Sequence, residues 1–208
     1  MMLKVDMAKS FDKLSWRLIR AILEAFGFGP DWVKWCMGLI TSSFFAILVN
    51  GAPSKCFSPS RGIRQGNPLS PFIFVLAAEG LGRLIKGKVL AGRLKGLHLH
   101  EDSEVQSHQQ FVDDTLLMLH SAIQEPRELK AILQKFTPAS GMEVNPRKSR
   151  IYFFNTSLLT QRNITRILGF QVGNFPSKYL GTPLFEKIIR QTSWQDLLDK
   201  MRSKLNEL

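Results

Sequence analysis

Two adjacent carboxylates, Asp113 and Asp114, interrupt an apolar run that reads Phe111-Val112 before them and Leu116-Leu117-Met118-Leu119 after. An apolar stretch broken once by turn-forming residues is the pattern of two strands joined by a hairpin, with the aspartates at its turn. The chain is therefore committed to a sheet with paired negative charge at a hairpin tip. Asp favours turns in its own right, so a solvated tip accounts for the pair. Paired carboxylates at a rigid turn also suit Mg²⁺, a hard cation that takes oxygen ligands. The stretch alone is balanced between the two.

Composition narrows the partners. The 208 residues carry 28 Lys and Arg against 17 Asp and Glu, a formal charge of +11. That excess favours a polyanion, with nucleic acid ahead of an anionic membrane surface. Hydrophobic residues make up 44%, enough for a real core. The basic residues recur along the whole chain, so no single tail explains the charge. Cys36 and Cys56 form no metal-binding or redox spacing and read as reduced, in an intracellular protein, nuclear or cytoplasmic rather than secreted. The pair His98-x-His100 lacks neighbouring ligands. The longest apolar stretch, Pro71 to Leu84, is interrupted by Glu79 and is too short to span a bilayer.

The periodicity predicts a strand over Leu3 to Met7, then helices over Leu14 to Phe26 and Trp32 to Thr41. Phe44 to Val49 is β-rich and meets the turn signal Asn50-Gly51. A helix is predicted over Leu69 to Ile85, a basic connector over Lys86 to Gln109 with a short strand near Gly96 to Leu99, and a helix over Pro126 to Phe136. Gly141 to Ser149 reads as a loop, Arg150 to Phe154 as a strand, Thr160 to Leu168 as a helix, and Tyr179-Leu180-Gly181 as a strand or tight hairpin. Thr192 to Leu208 is a final amphipathic helix. Strands in hairpins, interleaved irregularly with helices, define an α+β fold with an antiparallel sheet packed on helices.

Two further constellations carry chemistry. Asp6 ends the first strand, and Phe11-Asp12 follow where a helix begins, Asp12 reading first as its N-cap. The loop Arg61-Gly62-Ile63-Arg64-Gln65-Gly66-Asn67-Pro68-Leu69-Ser70-Pro71 combines basic residues, glycines and a helix start. Glycine lets backbone approach a ligand closely, and helix N-termini favour phosphate. Joined with Asp6, the pair Asp113-Asp114 suggests three carboxylates converging from two strands. Such a set fits a two-metal phosphoryl-transfer site with ions roughly 3.5–4 Å apart.

The ordered motifs K-V-D-M-x-K-S-F-D, R-G-I-R-Q-G-N-P-L-S-P, F-V-D-D, S-G-M-E-V-N-P-x-K-S and Y-L-G-T-P-L resemble the palm of reverse transcriptases, most closely the LINE-type, non-LTR retrotransposon enzymes common in plants. The resemblance runs from Asp6 to about Leu184. It implies a polymerase palm over 1–185, with 186–208 the start of a thumb or connection, and with fingers, endonuclease and RNase H segments absent. It implies Asp6 and Asp113 as the main ligands of two Mg²⁺ (or Mn²⁺) ions, with Asp114 beside them. Phe11 would lie under the sugar and exclude a 2′-OH, the group that separates RNA from DNA. Arg64, Gln65 and Gly66 would contact the incoming nucleotide and template, and Lys148 the triphosphate. Tyr179, Leu180 and Gly181 would grip the primer end. The implied partners are an RNA template, a DNA primer and dNTPs, with no membrane; oligomeric state is not legible. Val112 stands where the family usually has Ala, and Asn67 where it has Asp or Cys.

The expected activity is RNA-directed DNA polymerisation. The alternative is a truncated, inactive retroelement remnant that binds nucleic acid. A Mg²⁺-dependent phosphatase using Asp6 is disfavoured, because no second carboxylate lies two residues on and the regular βαβ alternation is missing.

Overall fold

A computed structural model describes residues 1–98, 105–185 and 194–206. The chain opens with β1 (Met2–Ala8), α1 (Ser10–Lys13), α2 (Trp16–Ala25) and α3 (Pro30–Thr41). A small hairpin follows, β2 (Leu48–Val49) and β3 (Ala52–Pro53), then the long helix α4 (Ser70–Leu90). Next come β4 (His108–Phe111), β5 (Asp114–Met118), α5 (Gln124–Ser140), β6 (Glu143–Val144), β7 (Arg150–Tyr152) and α6 (Leu158–Leu168). The described chain closes with β8 (Gln171–Val172), β9 (Ser177–Tyr179), β10 (Thr182–Leu184) and α7 (Gln195–Asn206).

The main sheet runs β4-β5-β1-β7-β8, with β6 also paired to β1. Strand alternation gives it two unlike faces. On β1, Leu3, Val5 and Met7 are buried, while Lys4 and Asp6 point to the opposite, half-open face. Leu3 pairs with Leu117 on one side and Ile151 on the other, so the buried rows of three strands align. Helices α2, α4 and α5 supply the rest of that core through Ile19 and Leu23, Phe74, Ala77 and Leu81, and Leu129 and Phe136. The spacing of Ile73, Phe74, Ala77, Leu81 and Ile85 along α4 is that of one helical face. Each such large side chain, fully buried, contributes about 1.5–3 kcal/mol of transfer free energy.

The predicted antiparallel sheet holds for every main-sheet pairing but one. β8 lies parallel to β7, because α6 carries the chain back across the layer before it re-enters the edge. Three boundaries also move. α4 continues through Lys86 to Leu90, because Gly87 alone costs only about 1 kcal/mol in a helix interior and the turn comes at Gly92, at φ +67°. The predicted loop over Gly141 to Ser149 contains β6, held by Met7–Val144 pairing that its short sequence could not announce. The predicted connector runs into β4 at His108, and its short strand near Gly96 to Leu99 is found as a single bridge between Leu97 and Gln106, Leu99 lying outside the described residues. The terminal helix is described over Gln195–Asn206, and His100 lies outside the described residues. No helix among the described residues is long and apolar enough to cross a membrane.

Candidate functional site

The β4–β5 hairpin turns on two residues, Val112 and Asp113, with Phe111 paired to Asp114 across the turn. Asp114 therefore begins β5 rather than sharing the turn. Val112 sits at φ +52° and is 43% exposed. A β-branched side chain at positive φ is a strained placement. Asp114 pairs with Asp6 in the β1–β5 register. The fold thus brings all three carboxylates to one end of adjacent strands, Asp6 and Asp114 facing each other and Asp113 at the adjoining tip.

Asp6 occupies a gap in the pairing of β1. On that edge, β7 pairs with Met2 to Lys4 and β6 with Met7 and Ala8. Between them the segment Asn145 to Ser149 bows outward and takes over both backbone groups of Asp6. The Asp6 N–H donates to the Ser149 hydroxyl at 3.2 Å, and the Asn145 N–H donates to the Asp6 carbonyl at 2.8 Å. The Asn145 side-chain oxygen accepts from the N–H groups of Arg147 and Lys148, closing a turn that carries Lys148 at its exposed end. Ser149, fully buried, and Asn145 thus fix Asp6. Their role was not read from sequence; the only signal was their place in a motif dominated by Lys148.

The loop from Arg61 to Ser70 is clamped at several points. The N–H groups of Gly62 and Ile63 donate to the carbonyls of Leu14 and Phe11, each at 2.8 Å. The Trp16 indole N–H donates to the Gly62 carbonyl at 2.7 Å. The Ser70 hydroxyl donates to the Arg64 carbonyl at 2.6 Å, and the Asn67 side chain accepts from the Leu69 N–H at 2.9 Å, turning the chain into α4. Asp12 does not cap a helix. It lies inside α1, and its carboxylate accepts from the Gln65 amide at 3.3 Å. A groove of about 540 Å³ runs along this loop, lined by Asp12, Arg61, Arg64, Gln65, Ile40 and Phe45 among others. Arg64 and Gln65 therefore share one surface, with Gly66 beside them at φ +83°. This groove is bordered by the loop and not by the three carboxylates. Phe11 stacks on Phe74 of α4, ring centroids 4.6 Å apart and planes within 5°, so its ring has a fixed orientation.

Tyr179, Leu180 and Gly181 form the tip of the β9–β10 hairpin, with Tyr179 paired to Thr182 and the turn residues at φ +51° and +81°. Tyr179 is buried beside Lys4, whose Nζ lies 5.9 Å from the ring centroid. Burial, aided by the negative charge of Asp114, pushes the Tyr179 hydroxyl above its usual pKa. Lys4 also pairs with Asp114, Nζ to Oδ1 at 3.6 Å. Lys4 went unnoticed in the sequence, although two-residue alternation puts it on the face of Asp6.

Carboxylate oxygens are hard donors that match Mg²⁺ in chemistry. The carboxylates of Asp6 and Asp113 make no hydrogen bond or ion pair with the described residues, whereas that of Asp114 is engaged by Lys4. Among the described residues no group of three His, Cys, Asp or Glu side chains is gathered tightly enough to hold an ion. The match of Asp6 and Asp113 to a divalent cation is one of donor chemistry.

These features have counterparts in known proteins. The profile of the family described as reverse transcriptase (RNA-dependent DNA polymerase) matches residues 1–184. The chain belongs to the reverse transcriptase family. An uncharacterized mitochondrial protein of Arabidopsis thaliana is 41% identical over 80 residues, 38% of this chain and 66% of that protein. A Pol polyprotein from a type-1 retrotransposable element R2 of Popillia japonica is 28% identical over 144 residues, 69% of this chain but 23% of its own length. These relatives agree with the non-LTR resemblance of the motifs, and the chain spans less than a quarter of the R2 protein. Among solved structures, telomerase from Candida albicans in complex with a fragment of telomeric RNA superposes with a TM-score of 0.54 at 16% identity, over 71% of this chain and 27% of that one. Apo telomerase from Candida tropicalis gives 0.54 at 17% identity, over 71% and 29%. The fold is accordingly the α+β palm of a polymerase, and the family as a whole uses divalent metal ions.

Proposed function

We propose that this chain is the palm of an RNA-directed DNA polymerase of a retroelement, adding deoxynucleotides to a DNA primer on an RNA template. The observation that carries this reading is the Asp6–Asp114 register, with Asp113 at the adjoining turn and the backbone of Asp6 fixed on both sides. Asp6 and Asp113 would hold Mg²⁺ or Mn²⁺, with Asp114 adding negative field beside them. Bound metal in this chemistry lowers the cost of the attacking oxyanion and of the charge on the leaving pyrophosphate. In the overall step the primer 3′-oxygen forms a bond to the α-phosphorus while the bond to the β-phosphate oxygen breaks.

The other roles follow from placement. Phe11, its ring fixed on Phe74, would lie under the sugar and exclude a 2′-OH. Arg64 and Gln65 border a groove, with Gly66 next in the chain, whose clamped backbone needs no reordering when nucleotide and template arrive. Lys148 carries a proton for the departing pyrophosphate. Tyr179, Leu180 and Gly181 hold the primer end. Residues 186–208 begin a thumb or connection.

Primer extension on an RNA template, with Mg²⁺ or Mn²⁺, tests this. Asp113→Ala is expected to reduce extension by about 10²–10³-fold, the size seen when one electrostatic partner of a reaction is removed. The formal charge of +11 supports a second reading, a nucleic-acid-binding remnant. Salt-sensitive RNA binding without any extension by the unaltered chain selects that one.

A further inference from the structure

Lys4 stands between two parts of the molecule that the function treats separately. Alternation along β1 puts it on the face of Asp6, and the register sets it opposite Leu116 and Arg150. Its side chain runs diagonally to Asp114, Nζ 3.6 Å from Oδ1, with both side chains about a quarter exposed, at 24% and 27%. The same ammonium lies over the Tyr179 ring of the β9–β10 hairpin. Tyr179 is only 6% exposed, and its hydroxyl has no hydrogen-bond partner. The ring is therefore held by packing and by the cation, not by its polar end. A second tie, the 2.6 Å hydrogen bond between the Tyr152 and Ser177 hydroxyls, fixes the start of the same hairpin.

We propose that Lys4 is a positioning residue that clamps Asp114 to the β9–β10 hairpin, keeping this third carboxylate out of the cation-binding set and the hairpin against the open face of the sheet. The clamp stands on these contacts alone; its consequence for cation binding rests on the polymerase reading. Three carboxylates at neighbouring positions repel one another, and the Lys4 charge cancels one of them. The cation then meets Asp6 and Asp113 with Asp114 already satisfied. A divalent ion can recruit Asp114 only by displacing Lys4, which also frees Tyr179. Occupancy of the metal site and seating of the hairpin are thereby linked through one side chain.

The test uses the full chain without nucleic acid, with Mn²⁺ as the probe, titrated by electron paramagnetic resonance. Lys4→Met keeps the apolar stem and removes the charge. It is expected to tighten Mn²⁺ binding roughly two- to five-fold, the range a partly exposed ion pair can command. Lys4→Arg restores the charge and returns the affinity to that of the unaltered chain. Hydrogen exchange gives the second readout: in Lys4→Met the amides of residues 177–184 lose protection relative to those of β1 and β5, and in Lys4→Arg they keep it. Lys4→Gln replaces the methionine variant if that one fails to fold. Unchanged protection of the hairpin overturns the clamp, and equal or weaker Mn²⁺ binding overturns the effect on the cation. If Asp6→Asn leaves Mn²⁺ binding intact, the metal reading of the site falls, while hairpin protection still decides the clamp.

Discussion

At Gly62 the backbone lies at φ +87°, and a Cβ there would stand 2.5 Å from the Asp12 carbonyl oxygen. The contact is with backbone and cannot be relieved by a side-chain rotation. Gly62→Ala is expected to cost about 2–3 kcal/mol through left-handed strain and this overlap, read by denaturant unfolding. Nucleotide affinity should fall with it, because Gly62 joins the Arg61–Ser70 loop to α1 and to Trp16. Residues of this kind mark the boundary of what was legible in the sequence. Asp6, Asp113, Phe11 and Gln65 stood out as candidates because they fall in motifs that occur in fixed order. Ser149, Asn145 and Lys4 were not, because their work depends on which strand edge they reach. Asp12 was misread as a cap, since only the folded loop brings Gln65 to it.

Among the elements, the long helices and β1 could be read from periodicity, because each buries a wide apolar face. The two- and three-residue strands could not, since their existence depends on a partner: β6 on β1, β8 on β7. The junction of α4 and α5 adds an electrostatic tie. Glu128 accepts from Lys88 at 2.7 Å and from Arg93 at 3.0 Å. The hydrogen bond from Lys88, with Arg93 adding to it, holds the Glu128 carboxyl below the usual carboxylate pKa. A depressed folded pKa means that the unfolded chain binds the proton more readily. The stabilisation is therefore present above the ordinary glutamate value of about 4.3 and lost as pH falls through the lower folded value. Unfolding of the unaltered chain and of Glu128→Gln should differ at pH 6, and the difference should shrink as the pH is taken down through the acid range, which a pH series of thermal melts measures.

For the molecule as a whole, a charge of +11 spread over many elements predicts binding to single-stranded RNA governed by counterion release. A plot of log affinity against log salt should fall with a slope of roughly −3 to −5, corresponding to about five to seven neutralised phosphates. Fluorescence anisotropy over a salt series measures it, and a flat plot removes the charge argument. The surface is also rich in apolar side chains: Trp35, Phe44, Phe72 and Leu90 are each at least 64% exposed.

The backbone at Val112 sets the hairpin tip against its own side chain. A β-branched residue at φ +52° stores about 1–3 kcal/mol that Gly or Asn at the same place would release. The tip is in this sense a spring held closed by the strands on either side of it, and Val112→Asn should slacken it, raising the midpoint of denaturant unfolding.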